Sequence, residues 1–416
     1  MKLWIVNQYA RVPSVSGITR HYDITSRLNQ YNVSTTIING NYDHTGEVLP
    51  NALYNKIEKS KKPYSYNYNG VNFLTFPIKK YTGNASVGRV LSMMFFYHDV
   101  FKYLSRSIDK PDIIWGSTAH PFGTLAAYRL SKKFQIPFIY EIRDLWPLSI
   151  IEFGKVSRHH PFILYLDYLD KLFAFKSNLI ITTAPLMKKY YIDRWGLPES
   201  KFLWVTNGTN IDINSTNDSG ETILPENKKE ARPPFRIVYT GALGQANGLD
   251  EILRVIQANK EKLKNFEFHF WGNGSLKESL SSYIEQNSLP CFIHNPVPKA
   301  QIWSVLNQAD ALLFNLVSSS VTLFQYGISP NKLADYHAAG KPIISIGQYA
   351  QNPVIESGAG FAVSSARELP VALLKFQELS PEKKIDMGEK GLKYAEEHYN
   401  WGKLAKKLAI ELKKLV

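Results

Sequence analysis

Lys332 and Asp335 stand three residues apart in GISPNKLADYHAAGKP, residues 327–342. Ser329 and Pro330 form a helix-start signal, with Pro330 at the first helical position, and Gly340 marks the stop. Lys332 then falls in the first turn, where a cation opposes the helix macrodipole unless an anion or a carboxylate lies close by. Asp335 shares its face and can accept hydrogen bonds from ribose hydroxyls while Lys332 neutralises a phosphate. Taken alone, the two residues fit an exposed Lys–Asp pair equally well.

A second candidate is GALGQANG, residues 241–248, which follows the apolar run FRIVYT and precedes the helical pattern LDEILRVIQANKEKL. Strand, glycine loop and helix in that order let the backbone approach an anion closely and offer it free N–H groups. No G-x-G opens the loop, so the spacing is not the dinucleotide fingerprint, and a tight structural turn is the other reading. In SVSGITRHYD, Gly17 precedes a helix with Arg20 in its first turn, a weaker anion site of the same type.

The elements that must position these groups alternate along the whole chain. KLWIVNQY, HYDITSRLNQ and VSTTIING open a βαβ pattern, and DIIWGS (112–117), PFIYEI (137–142), NLIITT (178–183) and KFLWVTN (201–207) continue it. The class is α/β with parallel sheets. Residues 213–234 are polar and aperiodic, an expected linker between a first domain over 1–212 and a second over 235–386. Strands of the second domain are expected at 235–240, 266–272, 291–296, 311–316 and 341–346. Residues 387–416 read as a basic helical stretch, with Leu404, Leu408 and Leu412 at fourfold spacing, that leaves the second domain.

The 416 residues, 44% hydrophobic, suit two globular cores rather than one. One cysteine, Cys291, excludes an internal disulfide framework and a cysteine-rich metal site, and fits a reducing compartment. MKLWIVNQYA reads as a buried strand rather than a secretory signal, and no run is long and apolar enough to span a bilayer, so a cytoplasmic protein is expected. The net charge of +13 is uneven, because residues 1–212 hold 26 Lys and Arg against 15 Asp and Glu. Such a half attracts nucleic acid, an anionic membrane surface or a phosphorylated substrate alike.

Together the segments NQY with its following glycine loop (7–20), YEIRDLWP (140–147), TNGTNID (206–212), YTGALGQANGLD, WGNGS (271–275) and SPNKLADYHAAGKP resemble the retaining glycosyltransferases of the GT-B fold. The resemblance spans nearly the whole chain and is to glycosyltransferase family 4, its bacterial surface-polysaccharide subgroup. It implies two Rossmann-like domains facing a cleft, the acceptor on the first, the sugar nucleotide on the second, and the final helix returning to the first. Donor contacts would come from Gly17, Arg20, Gly241, Ala242, Leu243, Asn247, Gly272, Asn273, Val297, Ser329, Pro330, Asn331, Lys332, Leu333 and Asp335. Glu141, Arg143 and Asp144 would orient sugar or acceptor hydroxyls, Arg143 standing where many relatives carry histidine, and His120 in STAHPFG would touch the acceptor.

Two departures reshape that assignment. Relatives carry Arg and Lys in the loop where this chain has Ala242 and Asn247, so the cation facing the diphosphate is assigned to Lys332, helped by Arg143 or Arg20. Gly327 replaces the first acid of the family's Glu-x7-Glu pair, leaving Asp335 alone. With no Asp-x-Asp motif, metal-independent transfer with no cofactor is expected, Lys332 opposing the charge that develops on the departing nucleoside diphosphate. The resemblance implies a UDP-linked donor, including N-acetylated aminosugars, and a lipid diphosphate-linked or oligosaccharide acceptor for O-antigen or capsule. Residues 87–106 and the KIEKSKKP loop (56–63) suggest a peripheral contact with anionic lipid on the inner membrane face, core burial and plain solvation being the respective alternatives. A non-hydrolysing UDP-sugar epimerase and a basic membrane- or nucleic-acid-binding module are the rival classes, and the ordering of the phosphate loops argues against the nucleic-acid module.

Overall fold

The computed structural model describes residues 1–14, 19–43, 46–47, 49, 51–81, 86–154, 156–211, 234–298, 301–316 and 321–416. Gly17 and nearly all of the stretch read as a linker lie outside the described residues. The chain forms two compact units, one of residues 1–206 with 401–416 and one of residues 207–400.

The first unit holds β1 (Lys2–Val6), β2 (Ser34–Gly40), the short pair β3 (Tyr42–Asp43) and β4 (Gly46–Glu47), β5 (Tyr64–Tyr68), β6 (Val71–Phe76), β7 (Ile113–Ser117), β8 (Phe138–Ile142), β9 (Leu179–Thr182) and β10 (Phe202–Trp204). Its eight-stranded sheet runs β10-β9-β8-β7-β1-β2-β6-β5, parallel except for the β5–β6 hairpin. Strands such as IIWGS and FIYEI are buried along their full length, as a parallel sheet covered by helices on both faces requires. The helix Pro121–Phe134 lies on one face, and the helices Arg20–Leu28 and Trp401–Lys413 pack together on the other, around Trp115, Leu404, Leu408 and Leu412.

The second unit carries an all-parallel six-stranded sheet of β11 (Phe235–Thr240), β12 (Phe266–Trp271), β13 (Cys291–His294), β14 (Ala311–Asn315), β15 (Ile343–Ile346) and β16 (Gly360–Val363), in the order β13-β12-β11-β14-β15-β16. Because β11 lies between β12 and β14, the chain reverses its direction of travel across the sheet at β11. Ligands of open α/β sheets bind outside the strand carboxyl ends at such a point.

Three local features depart from expectation. The basic stretch 387–416 is two helices, Pro381–His398 in the second unit and Trp401–Lys413 in the first, broken at Tyr399 and Asn400. Thr209 pairs with that break, its N–H donating to the Tyr399 carbonyl at 2.7 Å. KIEKSKKP is the end of the helix Asn51–Ser60 and the turn into β5 rather than a loop, with Lys56 donating to the Tyr64 hydroxyl at 2.7 Å.

Candidate active site

In the second unit, the loop after β11 and the helix Asn331–Ala338 meet at the switch point. Two contacts lock them: the Tyr336 hydroxyl accepts the Thr240 N–H at 2.8 Å, and Lys332 Nζ donates to the Tyr239 hydroxyl at 2.8 Å. The Lys332 ammonium also donates to Asn247 Oδ1 at 3.3 Å and sits 4.1 Å from the centre of the Tyr239 ring. Tyr239 gives its own proton to the Ala242 carbonyl, so its oxygen faces Lys332 as an acceptor. Two of the three ammonium hydrogens are thereby directed, and both partners are neutral. Burial without a carboxylate pushes the Lys332 pKa down to about 7.

The glycines explain how the ammonium reaches this place. Gly241 has φ +142°, and a Cβ there would lie 2.7 Å from Lys332 Nζ. A Cβ on Gly272 would lie 1.8 Å from the Gly241 carbonyl oxygen, so the loops after β11 and β12 pack backbone against backbone. Leu243 N–H donates to the Asn273 carbonyl at 2.9 Å across the same contact. Asn247 closes the loop by donating to the Ala242 carbonyl, and Asn315, at the carboxyl end of β14, donates to the Asn247 carbonyl at 2.7 Å.

The helix following this loop begins at Leu249, with Asp250 and Glu251 in its first turn. Carboxylates thus already answer its positive end. The helix Asn331–Ala338 also starts one residue later than expected. Pro330 is the residue before it, and Ser329 is drawn to Asn207, accepting from the Asn207 N–H and side-chain amide. Asn331 is exposed beside Lys332, while Asp335 accepts from the Thr209 hydroxyl at 2.7 Å. Lys332 and Asp335 therefore point to different partners instead of to each other.

Leu243 and Leu333, 0% and 1% exposed, belong to hydrophobic cores, so their side chains do not reach a ligand. Ala242 and Asn273 are exposed, and Val297 packs half-buried near Trp271, whose ring stacks on His294 at 4.2 Å.

In the first unit the structure gives Arg20 and Glu141 a different role from the one expected. Arg20 Nε donates to Glu141 Oε1 at 2.9 Å, its remaining nitrogens donate to the Val205 and Thr206 carbonyls, and His21 Nε2 meets Glu141 Oε2 at 2.8 Å. Both side chains are essentially inaccessible, at 1% and 0%. Burial alone would raise the Glu141 pKa, but His21 and Arg20 outweigh it and hold the carboxyl well below its usual range. They form a core pair joining the helix Arg20–Leu28 to β8, and neither serves as a helper cation or a hydroxyl-orienting acid.

Arg143 is half-buried just past β8, with its N–H on the Thr118 hydroxyl, and Asp144 beside it is exposed. His120 caps the helix Pro121–Phe134, its Nδ1 accepting the Gly123 N–H at 3.2 Å. Its Nε2 is buried without a hydrogen-bond partner among the described residues, and burial together with Arg89 holds the ring neutral, down to about 3. Reading the sequence missed Tyr239, Asn315 and Thr209 as members of these constellations. A polar residue ending an apolar strand, as in FRIVYT and ALLFN, was the available signal.

Among the described residues, no three His, Cys, Asp or Glu side chains cluster as metal ligands, and no helix is long and apolar enough to cross a membrane. Two Rossmann-like sheets, glycine loops at the switch point and an oriented cation define the GT-B class of nucleotide-sugar-dependent glycosyltransferases. The Glycosyltransferase Family 4 signature matches residues 55–213, and the Glycosyl transferases group 1 signature matches residues 234–377. The chain belongs to glycosyltransferase family 4, and it transfers sugar from a nucleotide-sugar donor.

Similar solved structures carry the same fold at low identity. Alr3699/HepE from Anabaena, in complex with UDP, is 12% identical over 100% of both chains, with a TM-score of 0.68. The E. coli trehalose-6-phosphate structure bound with UDP-2-fluoro glucose is 12% identical over 100% of both chains, at 0.69. WaaG, a glycosyltransferase involved in lipopolysaccharide biosynthesis, is 12% identical over 98% of each chain, at 0.65. No curated protein matches the chain.

Proposed function

We propose that the chain is a retaining, metal-independent glycosyltransferase that moves a sugar from a UDP-linked donor to a lipid diphosphate-linked acceptor during surface-polysaccharide synthesis. The donor class includes N-acetylated aminosugars. The observation that carries the donor half is the Lys332 ammonium, directed by Tyr239 and Asn247 over the Gly241 backbone at the sheet's switch point. When the bond to the sugar breaks, charge grows on the diphosphate oxygens. A fixed, partly desolvated cation stabilises that charge more than it stabilises the bound donor. The N–H groups of Ala242 and Gly244 lie in the same loop, while that of Gly241 is held by the Trp271 carbonyl at 2.9 Å; Gly272, Asn273 and Val297 border the base, and Asp335, oriented by Thr209, takes the ribose.

For the acceptor, the supporting residues are His120, Arg143 and Asp144. A neutral His120 with a proton on Nε2 is a donor rather than a base, which suits binding of an acceptor oxygen better than its deprotonation. UDP-glucose and UDP-N-acetylglucosamine are the donors to test first, since complexes of Alr3699/HepE contain UDP and UDP-glucose.

A thermal-shift series with sugar nucleotides followed by transfer assays in excess chelator tests the proposal. A selective shift with one UDP-sugar and full transfer in chelator are expected. Equal response to every nucleotide would overturn the donor assignment, loss of transfer in chelator would overturn metal independence, and an epimer formed without acceptor would replace the transferase reading.

A further inference from the structure

The stretch by which the chain enters the second unit is fastened to the helix that carries Lys332 and Asp335. Asn207 is the first residue of that unit. Its N–H donates to the Ser329 hydroxyl at 3.2 Å and its side-chain amide to the Ser329 carbonyl at 2.6 Å, just ahead of the helix. Two residues on, the Thr209 hydroxyl donates to Asp335 Oδ1 at 2.7 Å, inside the helix. The stretch is itself anchored, because the Thr209 N–H donates to the Tyr399 carbonyl at 2.7 Å and Ile211 packs on the core that holds Leu333 and Ala334. The start of the helix and its carboxylate are thus bracketed from one side.

Packing alone does not call for a hydroxyl at position 209. The side chain is 2% exposed, and valine would fill nearly the same space without a polar atom to satisfy. What threonine adds is one proton, and that proton goes to a carboxylate. An ionised carboxylate offers about four acceptor positions, so a single donor orients Asp335 without exhausting it. Asp335 is only half-buried, on the same helix as Lys332 and one turn further along. A carboxylate repels phosphate and accepts from hydroxyls, and a vicinal diol can give it two protons at once. Such a pair of bonds needs the carboxylate held at a fixed angle, because hydrogen bonds weaken steeply off-line.

We infer that Thr209 is a positioning residue for ribose recognition: it acts through Asp335, and the preference of the site for a ribonucleotide over a dideoxyribonucleotide depends on its hydroxyl. The inference rests on the assignment of Asp335 to the ribose proposed above. Asn207 serves the same end by holding Ser329, so that the first turn of the helix cannot slide along the stretch that carries Thr209.

Calorimetric titration of the full chain with UDP and with 2′,3′-dideoxy-UDP tests it. The unsubstituted chain should prefer UDP by about tenfold or more, the worth of a hydrogen bond to a charged group. T209V should lose that preference by binding UDP more weakly while its affinity for the dideoxy nucleotide stays unchanged, and T209S should restore it. Equal weakening toward both nucleotides would make Thr209 a support of the helix only and would overturn the inference, as would an unaltered preference in T209V. D335N separates the inference from the reading beneath it. A preference lost in D335N but kept in T209V leaves Asp335 on the ribose and sinks the inference alone. A preference that survives in D335N, or that the unsubstituted chain never shows, removes the ribose from Asp335 and overturns both.

Discussion

Two buried cations near strand carboxyl ends, Arg20 in the first unit and Lys332 in the second, look alike in sequence and differ in every physical respect that matters. Arg20 has a carboxylate and two backbone carbonyls around its guanidinium and is sealed in the core. Lys332 has two neutral oxygens and a ring, and its pKa falls toward neutrality because no carboxylate answers it. A satisfied cation holds the fold, whereas a desolvated cation with neutral partners gains most from an arriving anion. Partners, rather than proximity to a glycine loop, separate the two roles.

The largest effect that tests this contrast is on stability. Glu141→Ala strands Arg20 in the core and should cost about 3–5 kcal/mol of unfolding free energy, measured by denaturant titration. A loss below about 1 kcal/mol would mean that the pair is not structural. Lys332→Ala should show the reverse profile, with kcat/KM for donor falling about 10²–10³-fold and little change in Tm. Normal turnover would remove Lys332 from the reaction while leaving the fold intact. Gly241→Ala comes next. The added methyl meets Nζ at 2.7 Å on a backbone at φ +142°, so the ammonium must move, lowering kcat/KM by roughly 10- to 100-fold.

Much of this architecture was legible in residue order. The buried parallel strands betray themselves as short apolar runs, and the glycine loop after FRIVYT sits where the switch point falls. The β5–β6 hairpin did not show, because YSYNY and VNFLTF dilute their alternation with Tyr and Asn, although the Asn69–Gly70 turn between them is a strong hairpin signal. Nor did the break at Tyr399 and Asn400, where helical spacing continues across two helices belonging to different units. For the site, Lys332 and Gly241 were readable as chemistry. Tyr239 and Asn315 were not, since they stand last but one in β11 and last in β14, and acquire their roles only from β11 lying between β12 and β14. Arg20 and Glu141 misled for the converse reason: 121 residues separate them, and nothing local announces that they meet.

The smallest expected effect is the most discriminating. Tyr239→Phe keeps the ring beneath the ammonium but removes the hydroxyl that accepts from Nζ, and donor kcat/KM should fall roughly tenfold, the worth of one hydrogen bond to a charged group. The pH profile carries the sharper signature. Lys332 acts as a cation, so kcat/KM should be level below its pKa and decline as pH rises through about 7. Folding stability should move the other way. The folded-state pKa lies below the ordinary lysine value, so the unfolded chain binds more protons between about 7 and 10.4, and stability rises with pH across that interval. Losing the Tyr239 acceptor disfavours the charged form further and should shift the alkaline limb to lower pH. An unshifted limb with an unchanged rate would show that Tyr239 does not position Lys332. An unshifted limb with a reduced rate would assign the tyrosine hydroxyl to holding the Ala242 carbonyl, and so to the loop rather than to the cation.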